Sequence, residues 1–545
     1  MRTWESYNVF PLTYLCLVSM RDKRIAVLLG LLTGSVLGVL CFFTEHWLIR
    51  YPFTDDAFYY AQIARNIVSG KGVTFDGLHE TNGFHPLWLL LLLPIYALFS
   101  GDWLPLRVIL GLQALLAAAS SALLYAVLRR WTGRLLAILG VVLYQMLTFL
   151  LEISFSGMET GLQGLLLIYL LWKWPAIAQN LEKKAWFLGI LLGLIILARL
   201  DGVAVAGIVG LYTLWRLRKA SPSRIGGFLA RLGIASGLVT GPYFVWNLLH
   251  FGHLMPVSGA AKRYPLWEKP LAETLNKLFW WAKALSKGLS YAGIGNIPPW
   301  LLGSLTLLIV ALLLFYLKWW KNLLQTPELL LGMGAGAAHY VLSSLTLITF
   351  RGWYLVTEVL AIVLFLSYLW ERHKILKAIG IAMYGGLFAT IGKLTKDWRL
   401  SPETNAVIYE AYQVGLWLRE NTPPQSRCAT WDAGVIGYFA HRPVINLDGL
   451  VNTYDFLPLL KSKLLPTYLK EKNVRYLTTY TLGTDYKDYW HFKEHWDVWE
   501  SLLQKPVYVK LFFHKPADVF FDTSGGECYY YIWELPVPTA ETGKP

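Results

Sequence analysis

The chain is a series of apolar runs, most of them near the length of a bilayer span, separated by short clusters of Lys and Arg. About twenty consecutive apolar residues carry a helix across the hydrocarbon core. In hydrocarbon each backbone polar group must find its partner inside the segment, which restricts such runs to helices. Residues 1–392 are therefore expected to form a polytopic α-helical membrane domain. Spans are predicted near 25–47, 104–128, 135–151, 160–174, 185–200, 203–217, 226–249, 299–317, 328–349, 353–370 and 375–392. Composition agrees: only 15% of residues are charged, against about 25% in soluble domains. The 25 Trp and 31 Tyr suit the interfacial belts of a membrane protein.

The basic clusters set the orientation. Arg21, Lys23 and Arg24 start the chain on the cytoplasmic side, by the excess of Lys and Arg in cytoplasmic loops. Arg129, Arg130 and Arg134 follow, then Lys173, Lys183 and Lys184, then the group from Arg216 to Arg231, then Lys318 and Lys321, then Arg372, Lys374 and Lys377. All fall on one side if the short segment 86–100, which begins His85-Pro86, lies on the outer face without crossing. That gives eleven crossings and a multi-pass protein of the plasma (inner) membrane, with its C-terminus outside. These loops also account for the net charge of +14, so no nucleic-acid partner is expected. Residues 10–20 are too short to span, and Met20 reads as a possible true start. No small-residue cleavage site follows the next run, so it reads as a retained helix.

Residues 393–545 change character. Helical stretches near 403–420 and 454–471 alternate with strand-like runs at 427–430, 443–448, 474–480, 507–513 and 529–534. This pattern predicts an extracytoplasmic α/β domain. Cys428 and Cys528 lie in it and could pair on the outer side. Cys16 and Cys41 lie in apolar surroundings, and no Cys/His spacing suggests zinc.

The unusual polar residues collect in the outer segments, 51–104 and 250–298 above all. Thr54 and the pair Asp55-Asp56 open a helix predicted to run to about Ser69. Spacings of three and four put Asp55, Tyr59, Gln62 and Asn66 on a polar stripe, with Ala57, Tyr60, Ala61, Ala64 and Ile67 on an apolar one. That describes an amphipathic helix lying on the membrane surface. One acid would serve the helix N-terminus, so the second asks for another role. Asn82 and His85 follow in a turn that leads into a Pro-started helix. A His at such a place is as easily a hydrogen-bonded structural residue as a catalytic one. Glu159, and Arg199 with Asp201, stand at outer ends of spans, the latter two readable as a local ion pair or as a phosphate site. His250, His253, Lys262 and Arg263, and Arg351 with Tyr354, supply cations at lipid-headgroup depth. In the C-terminal region Trp431, Asp432, Asn446 and Asp448 cluster around turns.

In order along the chain, Asp55-Asp56, TNGFHPLW at 81–88, SGMET at 156–160, LARLDG at 197–202, GPYFVWNLLHFGHLMP at 241–256 and WDAGVIGYFAHRPVINLDGL at 431–450 resemble the bacterial GT-C superfamily of glycosyltransferases. The likeness is to users of polyprenyl-phosphate sugars: protein O-mannosyltransferases, lipid A aminoarabinose transferases and terminal arabinofuranosyltransferases. The resemblance implies an inverting transfer to an extracytoplasmic glycan, lipid or protein acceptor. It implies Asp55 as general base, with Asp56 orienting it or touching the acceptor. Arg199, Lys262, Arg263, Arg351 and Tyr354 would meet the donor phosphate, and Tyr59, Asn82, His85, Glu159, Asp201, Trp431, Asp432 and Asp448 the sugar or acceptor. Two adjacent carboxylates can also bind a divalent cation, and relatives differ in using one. The rival reading is a transporter or flippase of lipid-linked glycans. That would call for broken helices, internal repeats and polar groups at mid-membrane, and the sequence gathers its charges at helix ends instead.

Overall fold

The computed structural model describes residues 19–262, 326–346, 351–371, 374–396, 406–460, 463–482, 499–500, 502–503, 506–515 and 526–536. The span expected at 299–317 and the side chain of Arg263 lie outside them. The other ten predicted spans fall on helices over their described residues, one of them with a break. The helices are α1 (Met20–Leu40), α2 (Glu45–Arg50), α3 (Asp55–Val68), α4 (Pro86–Leu98), α5 (Trp103–Leu128), α6 (Arg134–Leu150), α7 (Thr160–Gln179), α8 (Leu181–Ala198), α9 (Val203–Leu217), α10 (Pro222–Phe251), α11 (Val257–Ala261), α12 (Pro327–Thr346), α13 (Val356–Glu371) and α14 (Lys374–Leu394). Among the described residues six helices are long and apolar enough to cross a membrane, and α4 and α6 are shorter apolar ones. Leu31, Leu115 and Leu238 are exposed on α1, α5 and α10, as lipid-facing side chains are. Where helices meet, small residues let them close in: Gly189 and Gly193 of α8 lie against Leu232, Ala235 and Val239 of α10.

The expected span at 25–47 is interrupted. Arg107 donates to the backbone oxygens of Cys41 (2.6 Å) and Phe43 (2.8 Å) and holds a turn there. Thr44 then caps α2 through the amide of Trp47.

The basic loops converge at one end of the bundle. Asp22 accepts from Arg129, Arg134 and Tyr125, each at 3.0 Å. Arg130 pairs with Glu328 at 2.9 Å and donates to the backbone of Leu171. Lys377 pairs with Glu371, which also accepts from the amide of Gly133. At the other end α4 begins and finishes on one side. Its N-cap His85 meets the Tyr60 hydroxyl and the Leu200 amide. Just past its C-terminus, Asp102 accepts from Arg65 (2.9 Å), His441 (2.8 Å) and Arg419 (3.1 Å). Both ends of α4 therefore meet α3, the first at Tyr60 and the second, through Asp102, at Arg65.

The C-terminal elements are α15 (Ala406–Asn421), β1 (Arg427–Thr430), α16 (Gly434–Ala440), β2 (Val444–Asn446), α17 (Leu465–Glu471), β3 (Val474–Leu482), β4 (Tyr508–Lys515) and β5 (Gly526–Glu534). They build a five-stranded sheet of order β2-β1-β3-β5-β4. β1 pairs in parallel with β2 and β3, and β5 runs antiparallel to β3 and β4. Ala429, Ile445, Leu477, Tyr531 and Trp533 form its core. The helix predicted over 454–471 is two pieces, a 3-10 turn at Tyr454–Leu459 and α17. Cys428 is a free buried thiol. Its register partner on β3 is Tyr476, whereas that of Cys528 is Leu482. Six residues of strand, about 20 Å at 3.3 Å each, separate the two cysteines and exclude the disulfide.

α3 differs most from its expectation. It is not a surface helix: Ala57, Phe58, Tyr59, Tyr60, Ala61, Ile63, Ala64 and Asn66 are all buried. The apolar stripe packs on the bundle, and the polar stripe faces the C-terminal unit. Backbone amides of residues 433–435 meet Asp55 and Tyr59, whereas Asn66 donates to the carbonyls of Thr74 and Phe75.

Candidate functional site

The first turn of α3 is wedged between the bundle and the loop that follows β1. Asp55 accepts from the amides of Gly434 (2.9 Å) and Val435 (2.8 Å), one to each carboxylate oxygen. The approach is close: a Cβ on Gly434 would stand 2.1 Å from the Asp55 carbonyl oxygen. Burial, then the neighbouring Asp432, pushes the Asp55 carboxyl well above the usual carboxylate range. One turn on, the Tyr59 hydroxyl donates to Asp448 (2.9 Å) and accepts from the amide of Ala433 and the side chain of Asn446. Asp448 also takes the Asp432 amide at 3.0 Å, and Tyr480 donates to the Asp432 carboxylate at 3.1 Å.

Asp56 points the other way. Among the described residues it makes no side-chain hydrogen bond. It borders a cavity with two lobes that share Asp56, Lys262, Trp353, Tyr354 and Leu450. The small lobe, about 40 Å³, adds Tyr59, Tyr60, His85, Glu159, Arg199 and Ser258. The large lobe, about 370 Å³, adds Asp55, Glu152, Arg351, Asp432, Asp448 and Tyr530. Lys262 donates to the Tyr354 hydroxyl at 2.6 Å. Burial alone would lower the Lys262 ammonium, but the Tyr354 oxygen and the Asp56 carboxylate outweigh it and raise it. It is therefore a firm cation beside an acid.

Arg199 is less available to a ligand. It is 2% exposed and bonds Glu159 at 2.6 Å and Asp201 at 2.6 Å. Its Cζ also lies 5.1 Å from the Tyr354 ring centre. Asp201 lies behind it rather than on the cavity wall. Asn82 braces loops: it donates to Asn247 (3.1 Å) and Tyr454 (3.3 Å) and accepts from the Val257 amide (2.9 Å). Trp431 is buried against Trp499. Of the residues picked out in the sequence, Asp55, Asp56, Tyr59, His85, Glu159, Arg199, Lys262, Arg351, Tyr354, Asp432 and Asp448 thus border one cavity. Sequence reading passed over Glu152, Tyr530, His339 and Glu358. The last two are ionisable groups inside apolar runs, which is itself the signal that marks a functional position.

A divalent cation needs several oxygen ligands converging on it. Here both Asp55 oxygens are turned to backbone amides, and among the described residues no group of three or more His, Cys, Asp or Glu gathers to hold an ion. The arrangement does not fit the cation suggested by the adjacent aspartates.

Asp448 carries a pH dependence. Burial first, then Asp432, pushes its carboxyl up to about 7. The folded state therefore keeps a proton that the unfolded chain releases near pH 4, so stability falls as pH rises from about 4 to 7. The Tm of the detergent-purified protein should drop over that window, and Asp448→Asn should flatten the slope. A variant whose Tm follows pH just as the wild type does would count against it.

The comparisons follow this geometry. Residues 403–524 match a family described as a domain of unknown function, DUF8728. No curated protein matches the chain. The crystal structure of ArnT from Cupriavidus metallidurans, bound to undecaprenyl phosphate, superposes with a TM-score of 0.50 at 11% identity, over 95% of this chain and 99% of that one. The oligosaccharyltransferase AglB from Archaeoglobus fulgidus, in complex with an inhibitory peptide and a dolichol-phosphate, gives a TM-score of 0.48 at 14% identity, over 87% of this chain and 70% of that one. At these identities the likeness is one of fold: the chain shares its fold with ArnT along nearly its whole length.

Proposed function

We propose that this chain is an integral-membrane, inverting glycosyltransferase that moves a sugar from a polyprenyl-phosphate donor to a hydroxyl of a glycan, lipid or protein acceptor. The observation that carries the reading is Asp56 and Lys262 together on the wall common to both lobes. A base and a phosphate-binding cation at one junction suit a displacement at an anomeric carbon. The acceptor oxygen bonds to that carbon as its proton passes to Asp56. The bond from carbon to phosphate oxygen breaks on the opposite face, and Lys262, with Tyr354 beside it, holds the charge that develops there. The family resemblance put the base at Asp55; the amides on both Asp55 oxygens favour Asp56 for that role and Asp55 for aiming it. His85 and Glu159 line the phosphate end, and Arg351, Asp432 and Asp448 the acceptor end. Arg199 acts behind Glu159, and Asp201 behind Arg199. The basic ends of the helices are cytoplasmic by charge bias, which puts the cavity, α4 and the sheet unit on the outer side of the plasma (inner) membrane, with eleven crossings.

The test is transfer from a labelled polyprenyl-phosphate sugar by the purified full chain, alongside binding of undecaprenyl phosphate. Lys262→Met is expected to weaken lipid-phosphate binding about tenfold or more, a charge-assisted bond being worth about 1.5–3 kcal/mol. Wild-type protein that neither binds the lipid phosphate nor transfers any sugar from such donors would overturn the reading.

A further inference from the structure

Behind the small lobe the row of polar groups that lines it continues inward, past Asp201, to two residues that the proposed step does not use, His339 and Glu358. His339, on the apolar helix α12, is 0% exposed. Its Nδ1 lies 2.7 Å from Glu358 Oε1, in the first turn of α13, and its Nε2 3.3 Å from Asp201 Oδ2. Asp201 in turn holds Arg199, Arg199 holds Glu159 at 2.6 Å, and His85 Nε2 stands 3.7 Å from Glu159. The row thus passes from mid-helix to the cavity wall through four side chains beyond the His339–Glu358 pair, Asp201, Arg199, Glu159 and His85, with Gln163 branching off Asp201 at 3.3 Å.

Packing does not explain such a row. Ionisable groups inside a membrane domain are costly, and a buried ion pair is a poor source of net stability. The charge balance is informative. Glu159, Asp201 and Glu358 supply three carboxylates, and Arg199 is the fixed cation among them. Ionised carboxylate oxygens only accept hydrogen bonds. His339 stands between two of them, with Nδ1 hydrogen-bonded to Glu358 and Nε2 3.3 Å from Asp201, at the place where a second cation would balance the row.

We propose that His339, held by Glu358, is a positioning residue: it takes a share of Asp201, which leaves the Arg199 guanidinium free to hold Glu159 and so fixes the Glu159–His85 wall of the small lobe. Without it, Asp201 draws Arg199 toward itself. Glu159 then loses its neutralising partner and turns an uncompensated charge on the lobe and on any anion bound there. The occupant's identity as a lipid phosphate rests on the transferase reading; the geometry of the wall does not.

The test reads the wall directly, in the ligand-free full chain with labelled histidines in nanodiscs. The His85 signal is assigned by its loss in His85→Asn. Burial holds the His85 ring down, to about 4, with Glu159 and Asp201 pulling it up and Arg199 and Lys262 pulling it down. In His339→Leu the His85 titration midpoint should rise by a pH unit or more, and the Kd for undecaprenyl phosphate, followed by tryptophan quenching, should rise about tenfold. The double variant His339→Leu/Glu358→Leu removes one charge of each sign, and so keeps the fold readable should the single variant fail to fold. It should recover the wild-type Tm but keep the raised His85 midpoint and the weak binding. A His85 midpoint unmoved in either variant would overturn the proposal. So would recovery of midpoint, binding and Tm together in the double variant, since the pair would then only balance charge. If the midpoint moves as expected while even the wild type ignores undecaprenyl phosphate, the positioning role stands and the transferase reading falls.

Discussion

Arg199→Leu is expected to cost about 3–5 kcal/mol of stability, the range found when one partner of a buried ion pair is removed. The reason is local. Glu159 and Asp201 each depend on Arg199 at 2.6 Å, and Arg199 itself is 2% exposed. Losing it strands the buried Glu159 and leaves the partly exposed Asp201 with His339 alone. The Tm in detergent should fall steeply, or the variant should fail to accumulate as folded protein. Arg199→Lys keeps the charge but not the planar fork that serves two carboxylates at once, and should fall between the two. An Arg199→Leu protein that melts with the wild type would show that the row is not the structural keystone its geometry describes.

The second large effect concerns catalysis. Asp56→Asn should lower sugar transfer by about a hundredfold or more, as loss of a general base does, while undecaprenyl phosphate still binds and the Tm holds. Asp55→Asn should behave otherwise. An amide in place of the carboxylate sets an N–H against the amide of Gly434 or Val435, so this variant should lose Tm as well as turnover. The comparison of the two variants, each read for turnover and for melting, separates base from brace. Full activity in Asp56→Asn together with a silent, well-folded Asp55→Asn would reverse the assignment. Equal losses of kcat without loss of Tm would mean that the two carboxylates act together in the chemistry.

Much of the architecture was legible because membrane physics leaves so few options. Apolar run length gave the helices, and basic loops foretold which ends would meet, as Asp22, Arg129 and Arg134 now do. The short α4 was recognisable by its length and its Pro86 start. The cavity residues were legible as polar exceptions in greasy surroundings. The surroundings of Asp55 and Asp56 were not. Helical periodicity separates a polar stripe from an apolar one, but it does not say whether water or another part of the chain covers the polar side. The partners of Asp55 sit some 380 positions away, at Gly434 and Val435, and only tertiary structure brings them in. His339 was hidden for the opposite reason. A single His barely dents the apolarity of a long run, so a window average hides it. Cys428 and Cys528 were indistinguishable from a bonded pair until strand register set them apart.

The clamp on Asp55 links two things that look separate. Asp55 and Asp56 share a backbone turn, so whatever seats the loop of residues 433–435 also aims the neighbouring carboxylate. If Asp56 is the base proposed above, docking of the sheet unit and readiness of that base are one equilibrium seen from two sides. By reciprocity, an acceptor that pulls the sheet unit inward sharpens the base, and one that wedges it outward blunts it. On the proposed transferase reading, selectivity resides in how well an acceptor lets the sheet unit seat, with poor acceptors acting as doorstops rather than being refused at the threshold.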